Sequence, residues 1–321
     1  AVLQFGDHGG AVGYLVGEEN RGLEYMFIMM NAARYAVGVQ GIAISERAYQ
    51  KAVQYAAERV QSRPVDGSVK GSATIVHHPD VRRMLMTMRA LTEGCRAMAS
   101  SAAAAYDAAH HHPDAEVRRQ NQTFYEFMVP LVKGYSTEMS LEVTSLCLQV
   151  HGGRSFIEEP GASQYFRDAR ILTIYEGTTA IQANDFVGRK TARDGGLVAK
   201  AIAAQIERTE AALAQRSSAA SKAMHKHLLA ARKAFVDVVD FVAGQTKASP
   251  NAVFAGSVPY LLLAGNLMAG WQMARALIVA EDSKDEAEFM AAKVATARFY
   301  AEHILSKVPG IRDSIVEGHA A

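Results

Sequence analysis

In Tyr175-Glu176-Gly177-Thr178 a single carboxylate stands between an aromatic ring and a glycine, just after an apolar stretch. Such a group has two uses. It is a base for taking a proton from carbon, which needs a dry pocket to bring its affinity for protons toward the working pH. It is equally an acid favoured near the start of the helix that Thr178 or Thr179 opens. Gln149-Val-His-Gly-Gly153 ends a helix in paired glycines, whose backbone N–H groups either approach a phosphate or cap the helix. On spacing alone the cap is the stronger reading. Arg34, between an apolar helix and a long one, holds an anion or pairs with a carboxylate of another helix. Arg59 closes that long helix, where a cation complements the dipole in any case.

Other chemistries find no support. No Glu has a His three residues later, HExxH is missing, and His110-His111-His112 cannot all point one way from a helix end. No metal site is expected. GxSxG, a nucleophilic cysteine and a GxGxxG after a strand are also missing. With 34 Lys plus Arg against 33 Asp plus Glu, the net charge is +1, so no global field favours nucleic acid or an anionic membrane. Cys95 and Cys147 lie in helical patterns without a CxxC, which fits a reducing, cytoplasmic compartment. The richest apolar stretch, 258–280, reads as too polar for a bilayer span and hence as a buried helix.

The elements that must position these residues are almost all helices. Val12 to Gly17 reads as a lone β-strand. A short helix then covers Leu23 to Met30, and a long one runs from Arg34 to about Val60, broken by the loop at 62–68. Pro79 opens a helix ending at the histidines of 110–112. Another runs from Pro113 to Gly152, kinked or broken near Pro130. Short helices follow at 164–170 and from Thr179 to about Arg193. Asp194-Gly195-Gly196 reads as a hinge. Four more helices, roughly 197–216, 219–246, 251–281 and 285–307, form an up-and-down bundle.

Taken in order, GEENRGL (17–23), Arg34, the ER pair at 58–59, QVHGG (149–153), FRDARI (166–171) and IYEGTTAIQ (174–182) resemble the C-terminal part of the flavin-dependent acyl-CoA dehydrogenases. The resemblance implies an all-α fold, a four-helix bundle followed by a second helical bundle. It divides the chain into 1–18, the tail strand of a middle β-domain, 19–194, the family's C-terminal helical domain, and 197–321, the extra helical domain of a larger subgroup. The chain, which starts without Met, then begins inside a longer protein.

The resemblance also implies roles. Glu176 matches the family's base, which takes the proton α to an acyl-CoA thioester while the β-hydrogen leaves as hydride to FAD. Ile174 and Tyr175 would keep the pocket dry. Gly177 would let the thioester approach the backbone, and the Glu176 N–H would polarise its carbonyl. Ala33 stands at the alternative position for the base, leaving Glu176 as the single candidate. Arg34 matches an arginine beside the CoA chain. Arg59, Gln149, Gly152 and Gly153 match positions that reach the FAD of a neighbouring subunit, so a homodimer or larger homo-oligomer is implied, and Thr178 matches a flavin contact. Val60 to Arg63 depart from the family's Lys-Thr-Phe-Gly, and Ala180 replaces a common glutamine. An electron-transfer flavoprotein is the implied electron acceptor. Two rivals stay open: an inert helical scaffold or oligomerisation module, and a flavin oxidase on the same fold.

Overall fold

The computed structural model describes residues 2–318. Three long helices form the first half: α1 (Gly22–Glu58), α2 (Pro79–His111) and α3 (Ala115–His151), with α3 packed against both of the others. The shorter α4 (Ala162–Leu172) and α5 (Thr179–Val187) lie against α3, and α5 continues as a π-turn over Gly188–Ala192. The second half comprises α6 (Leu197–Ala214), α7 (Ala219–Gln245), α8 (Pro250–Ala255), α9 (Ser257–Asp282), α10 (Ala287–His303) and α11 (Val308–Val316).

Several expectations are corrected. Among the described residues there is no strand, and residues 11–16 form an exposed, irregular chain. The β-prone side chains are present, but nothing lies beside them to accept a ladder of hydrogen bonds. The predicted break between Met30 and Arg34 is absent, because Asn31-Ala32-Ala33 contains no helix breaker. Helix α3 also passes through Pro130. Proline there removes one donor from a 37-residue helix, and burial of Pro130 and its neighbours on both sides holds the rest. The expected helix at 251–281 divides at Gly256, and the last one ends at His303, leaving α11 unforeseen. Asp194 ties the proposed hinge down: its carboxylate accepts from the N–H groups of Gly196 (2.9 Å) and Val198 (3.0 Å).

Helix α9 joins the two halves. Long and apolar enough to cross a bilayer on composition, as is α1, it is mostly buried against protein instead. The reading of 258–280 as too polar to span is therefore replaced by a positional one. Its Asn266 Oδ1 accepts from Tyr135 Oη of α3 at 2.8 Å, and Tyr300 Oη of α10 donates to the Asn266 carbonyl at 3.1 Å. Gly265 lies so close to Tyr135 that a Cβ there would overlap the ring. One continuous apolar core runs through both halves.

Candidate active site

Helix α4 ends at Leu172, and the chain crosses to α5 in six residues that turn over the buried face of α3. Within the crossing, Glu176 and Gly177 take φ of 55° and 90°. The left-handed region costs a non-glycine residue about 1–2 kcal/mol, so something must impose it. The imposing groups lie underneath. Lys133 of α3, fully buried, donates from Nζ to the carbonyls of Leu172 (2.9 Å) and Gly177 (2.6 Å). Gln182 of α5, also fully buried, donates from Nε2 to the carbonyls of Glu176 (3.4 Å) and Gly177 (3.3 Å). Burial, and then the nearby Arg34 guanidinium, push the Lys133 ammonium down from the usual lysine range to about 8.

The outer side of the turn is open. Glu176 is exposed, and among the described residues neither its carboxylate nor its backbone N–H has a hydrogen-bond partner. Tyr175 Oη donates to Gln40 of α1. Thr178 is half-buried, and its hydroxyl accepts from the Ile181 N–H at 3.3 Å as the N-cap of α5. Ile174 is 46% exposed, so within residues 2–318 it does not by itself dry the pocket. No element of residues 2–318 lies over the turn to shelter it.

Arg34 is buried, with Nη1 3.7 Å from Asp185 Oδ2 and Nε left without a hydrogen bond. It lines a cleft of about 380 Å³ together with Arg189, Lys190 and Arg193 from the π-turn and its end. Glu126, Asp185 and Asp194 share that cleft, with Arg189 3.6 Å from Asp185 and Lys190 3.8 Å from Glu126, so the cations are largely balanced. The long pairing with Asp185 and the unbonded Nε keep the structural and anion-binding readings of Arg34 side by side.

The remaining predicted residues gather elsewhere. Arg59, Gln149, Gly152 and Gly153 line one cleft of about 780 Å³ with Arg63 and Arg154. Among the described residues no carboxylate lines it. Residues 59–62 are fastened back on 73–75 by Gln61 N–H to Ala73 O (2.9 Å), Ala73 N–H to Ser62 O (3.0 Å) and Ile75 N–H to Arg59 O (2.8 Å), which carries Arg63 to the cleft wall. Gly152 has φ 60° and ψ −145°, a conformation almost confined to glycine. A Cβ at Gly152 or Gly153 would meet nothing within 4 Å. His151 stacks on Tyr55 at 4.4 Å, and burial pushes its imidazole below the usual range. Three arginines beside open backbone and no acid suit a diphosphate.

The two clusters do not meet. Arg34 lies on α1 and Arg59 caps its C-terminus, 25 residues or about 37 Å further on at ~1.5 Å per residue. Along α3, the 16 residues from Lys133 to Gln149 add up to about 24 Å. Lys133, Gln182, Arg63 and Arg154 were not singled out in the sequence. A lysine inside the apolar MVPLVKGY was the one available signal. Among the described residues no three His, Cys, Asp or Glu gather to hold a metal.

Comparison with known proteins gives a consistent family. The family model "Acyl-CoA dehydrogenase, C-terminal domain" matches residues 20–190, and "Acetyl-CoA dehydrogenase C-terminal like" matches 198–321. A 3-methylmercaptopropionyl-CoA dehydrogenase of Ruegeria pomeroyi is 53% identical over 95% of this chain and 52% of its own length. A broad-specificity linear acyl-CoA dehydrogenase of Mycobacterium tuberculosis is 36% identical over 98% of this chain and 54% of its own. The chain spans about half the length of the curated relatives it matches. Among solved structures, an acyl-CoA dehydrogenase from Bacillus anthracis, complexed with FAD, superposes with a TM-score of 0.74 at 20% identity, covering 94% of this chain and 51% of that one. The fold is shared at that distance.

Proposed function

Because the chain belongs to the acyl-CoA dehydrogenase family, we propose that Glu176 is the base of an FAD-dependent α,β-dehydrogenation of an acyl-CoA thioester. The observation that carries the proposal is the turn itself. A left-handed residue in an exposed turn carries a carboxylate and a backbone N–H that, among the described residues, have no hydrogen-bond partner. The carboxylate takes the α-proton. The N–H stabilises negative charge developing on the thioester oxygen, and Gly177, where a Cβ would lie 2.7 Å from Gln182 Nε2, lets the turn close tightly beside it. FAD, when bound, supplies the acceptor for the β-hydrogen and its electron pair.

The separation of the clusters supports a homodimer or larger homo-oligomer. In the proposal, Arg59, Arg63, Arg154 and the Gly152-Gly153 backbone of one copy hold the diphosphate of the FAD that serves Glu176 in another, with Gln149 beside it. Thr178 adds a contact at the Glu176 end. Arg34, Arg189, Lys190 and Arg193 suit the anionic CoA moiety, with Tyr175 bounding the thioester side. Half-length coverage of the relatives supports a longer parent protein whose other domains exclude water from Glu176. In it, 1–18 would end a middle β-domain, 19–194 form the catalytic helical domain and 197–321 the extra one. Electrons would pass to an electron-transfer flavoprotein in a reducing, cytoplasmic compartment.

The test is anaerobic bleaching of FAD in the full-length parent by a panel of acyl-CoA thioesters that includes 3-methylmercaptopropionyl-CoA. Replacing Glu176→Gln is expected to slow bleaching by about 10³-fold or more, with folding unchanged because the side chain is exposed. Full bleaching in that variant would falsify the assignment. Rapid reoxidation of the reduced flavin by air would identify an oxidase instead.

A further inference from the structure

The floor of the Glu176 turn holds a group that the proton transfer does not use directly. Lys133 is a fully buried cation whose two hydrogen-bond partners are neutral carbonyls, and among the described residues no carboxylate forms an ion pair with it. Burying an ammonium without a counter-ion is expensive, and an apolar residue of similar length would fill the same space at lower cost. The two carbonyls it joins are those of Leu172 and Gly177, which bracket the whole crossing from α4 to the residue after the base.

We propose that Lys133 is a positioning residue for proton abstraction. By bridging the carbonyls of Leu172 and Gly177 it fixes the backbone on which Glu176 stands and brings a positive charge beneath the carboxylate and its N–H. This rests on the reading of Glu176 as base. Gln182 seconds the clamp from α5 through the carbonyls of Glu176 and Gly177. The charged groups facing Lys133 are Arg34 of α1, Glu138 of its own helix and Glu176 of the turn, with Asp185 of α5 reached through Arg34. Burial first, then Arg34, lowers the ammonium to about 8, while Glu138 and Glu176 oppose that shift. The bridge survives loss of this proton, since a neutral amine keeps two N–H donors, but the charge does not.

The experiment compares Lys133→Met and Lys133→Gln in the FAD-loaded full-length parent. It records anaerobic flavin reduction with protiated and α-deuterated thioester, together with FAD content, thioester affinity and thermal midpoint. Lys133→Met is expected to slow flavin reduction by about 100-fold and to raise the deuterium effect, while FAD content and thioester affinity stay near wild type. Lys133→Gln, which returns an uncharged donor, is expected to recover part of the rate. Reduction at the wild-type rate in Lys133→Met overturns the inference, as does a loss that merely follows lost FAD.

If neither variant folds, the wild-type profile decides. A fall in reduction rate as pH rises through about 8, at constant thioester affinity, supports the role of the charge, and a flat alkaline profile overturns that part of the inference. A Glu176→Gln variant that still bleached would remove the base itself, whereas an inert Glu176→Gln beside a fully active Lys133→Met would sink the present inference alone.

Discussion

Two glycine turns of this chain, Glu176-Gly177 and Gly152-Gly153, have positive φ at Gly177 and Gly152 and stand at opposite ends of the predicted chemistry. They are built by opposite means. The first is backed by fully buried Lys133 and Gln182, and a Cβ at Gly177 would lie 2.7 Å from Gln182 Nε2. The second has open space around both glycines and exposed Arg59 and Arg154 near it. The difference follows from the task of each. On the proposed roles, a base must be placed to within a fraction of an ångström relative to the hydrogen it takes, so its backbone is held from behind. A surface that receives part of a large anionic ligand must stay uncovered until the ligand arrives.

The contrast can be broken at several places. Gly177→Ala meets both the left-handed backbone and the Gln182 amide, so a stability loss of about 1–3 kcal/mol and a fall in flavin reduction of about 100-fold are expected. Chemical denaturation and anaerobic bleaching measure the two. Gly152→Ala meets only backbone strain, again about 1–3 kcal/mol, and its reduction rate should return toward wild type at saturating FAD. An equal, FAD-independent loss in both would erase the distinction between the turns. Arg59→Ala should leave stability within about 0.5 kcal/mol and weaken FAD by about tenfold, read by titration of the apoprotein.

The smallest effect is one of pH. The folded-state affinity of Lys133 for its proton is depressed to about 8 from the ordinary 10.5, so the unfolded chain binds that proton more tightly. The cost of burying the charge is present in full below about pH 8 and relaxes as pH rises toward the unfolded value, making this residue's contribution to stability increase across that window. Denaturation of wild type against Lys133→Met isolates it, and a difference independent of pH would show the ammonium to be fully compensated.

Much of the helical plan was legible because 3.6-residue periodicity, Pro79 at a first turn and the Gly152 stop are local signals. The resemblance located Glu176 and the Arg59 cluster through residue types in order. What stayed hidden depends on distance along the chain. Lys133 reaches carbonyls 39 and 44 residues away, and in the sequence it is one lysine in an apolar run. Arg63 reaches its cleft through backbone bonds between 59–62 and 73–75, a closure that the residue types of the loop do not announce. The strand at 12–17 failed for the complementary reason, since β-propensity is realised by a partner strand rather than by the residues alone.

The packing of Gly265 on Tyr135 bears on how this architecture can be inherited. Two separately recognisable sequence families meet between residues 190 and 198, yet Tyr135 of one is covered by Gly265, Asn266 and Tyr300 of the other. Severing the chain there would bare an aromatic ring and strand buried hydroxyl groups on both pieces. The halves should therefore melt in a single calorimetric transition. A recombination that brings in a foreign second half must carry a glycine to meet that tyrosine, so the junction is divisible in sequence but not in folding.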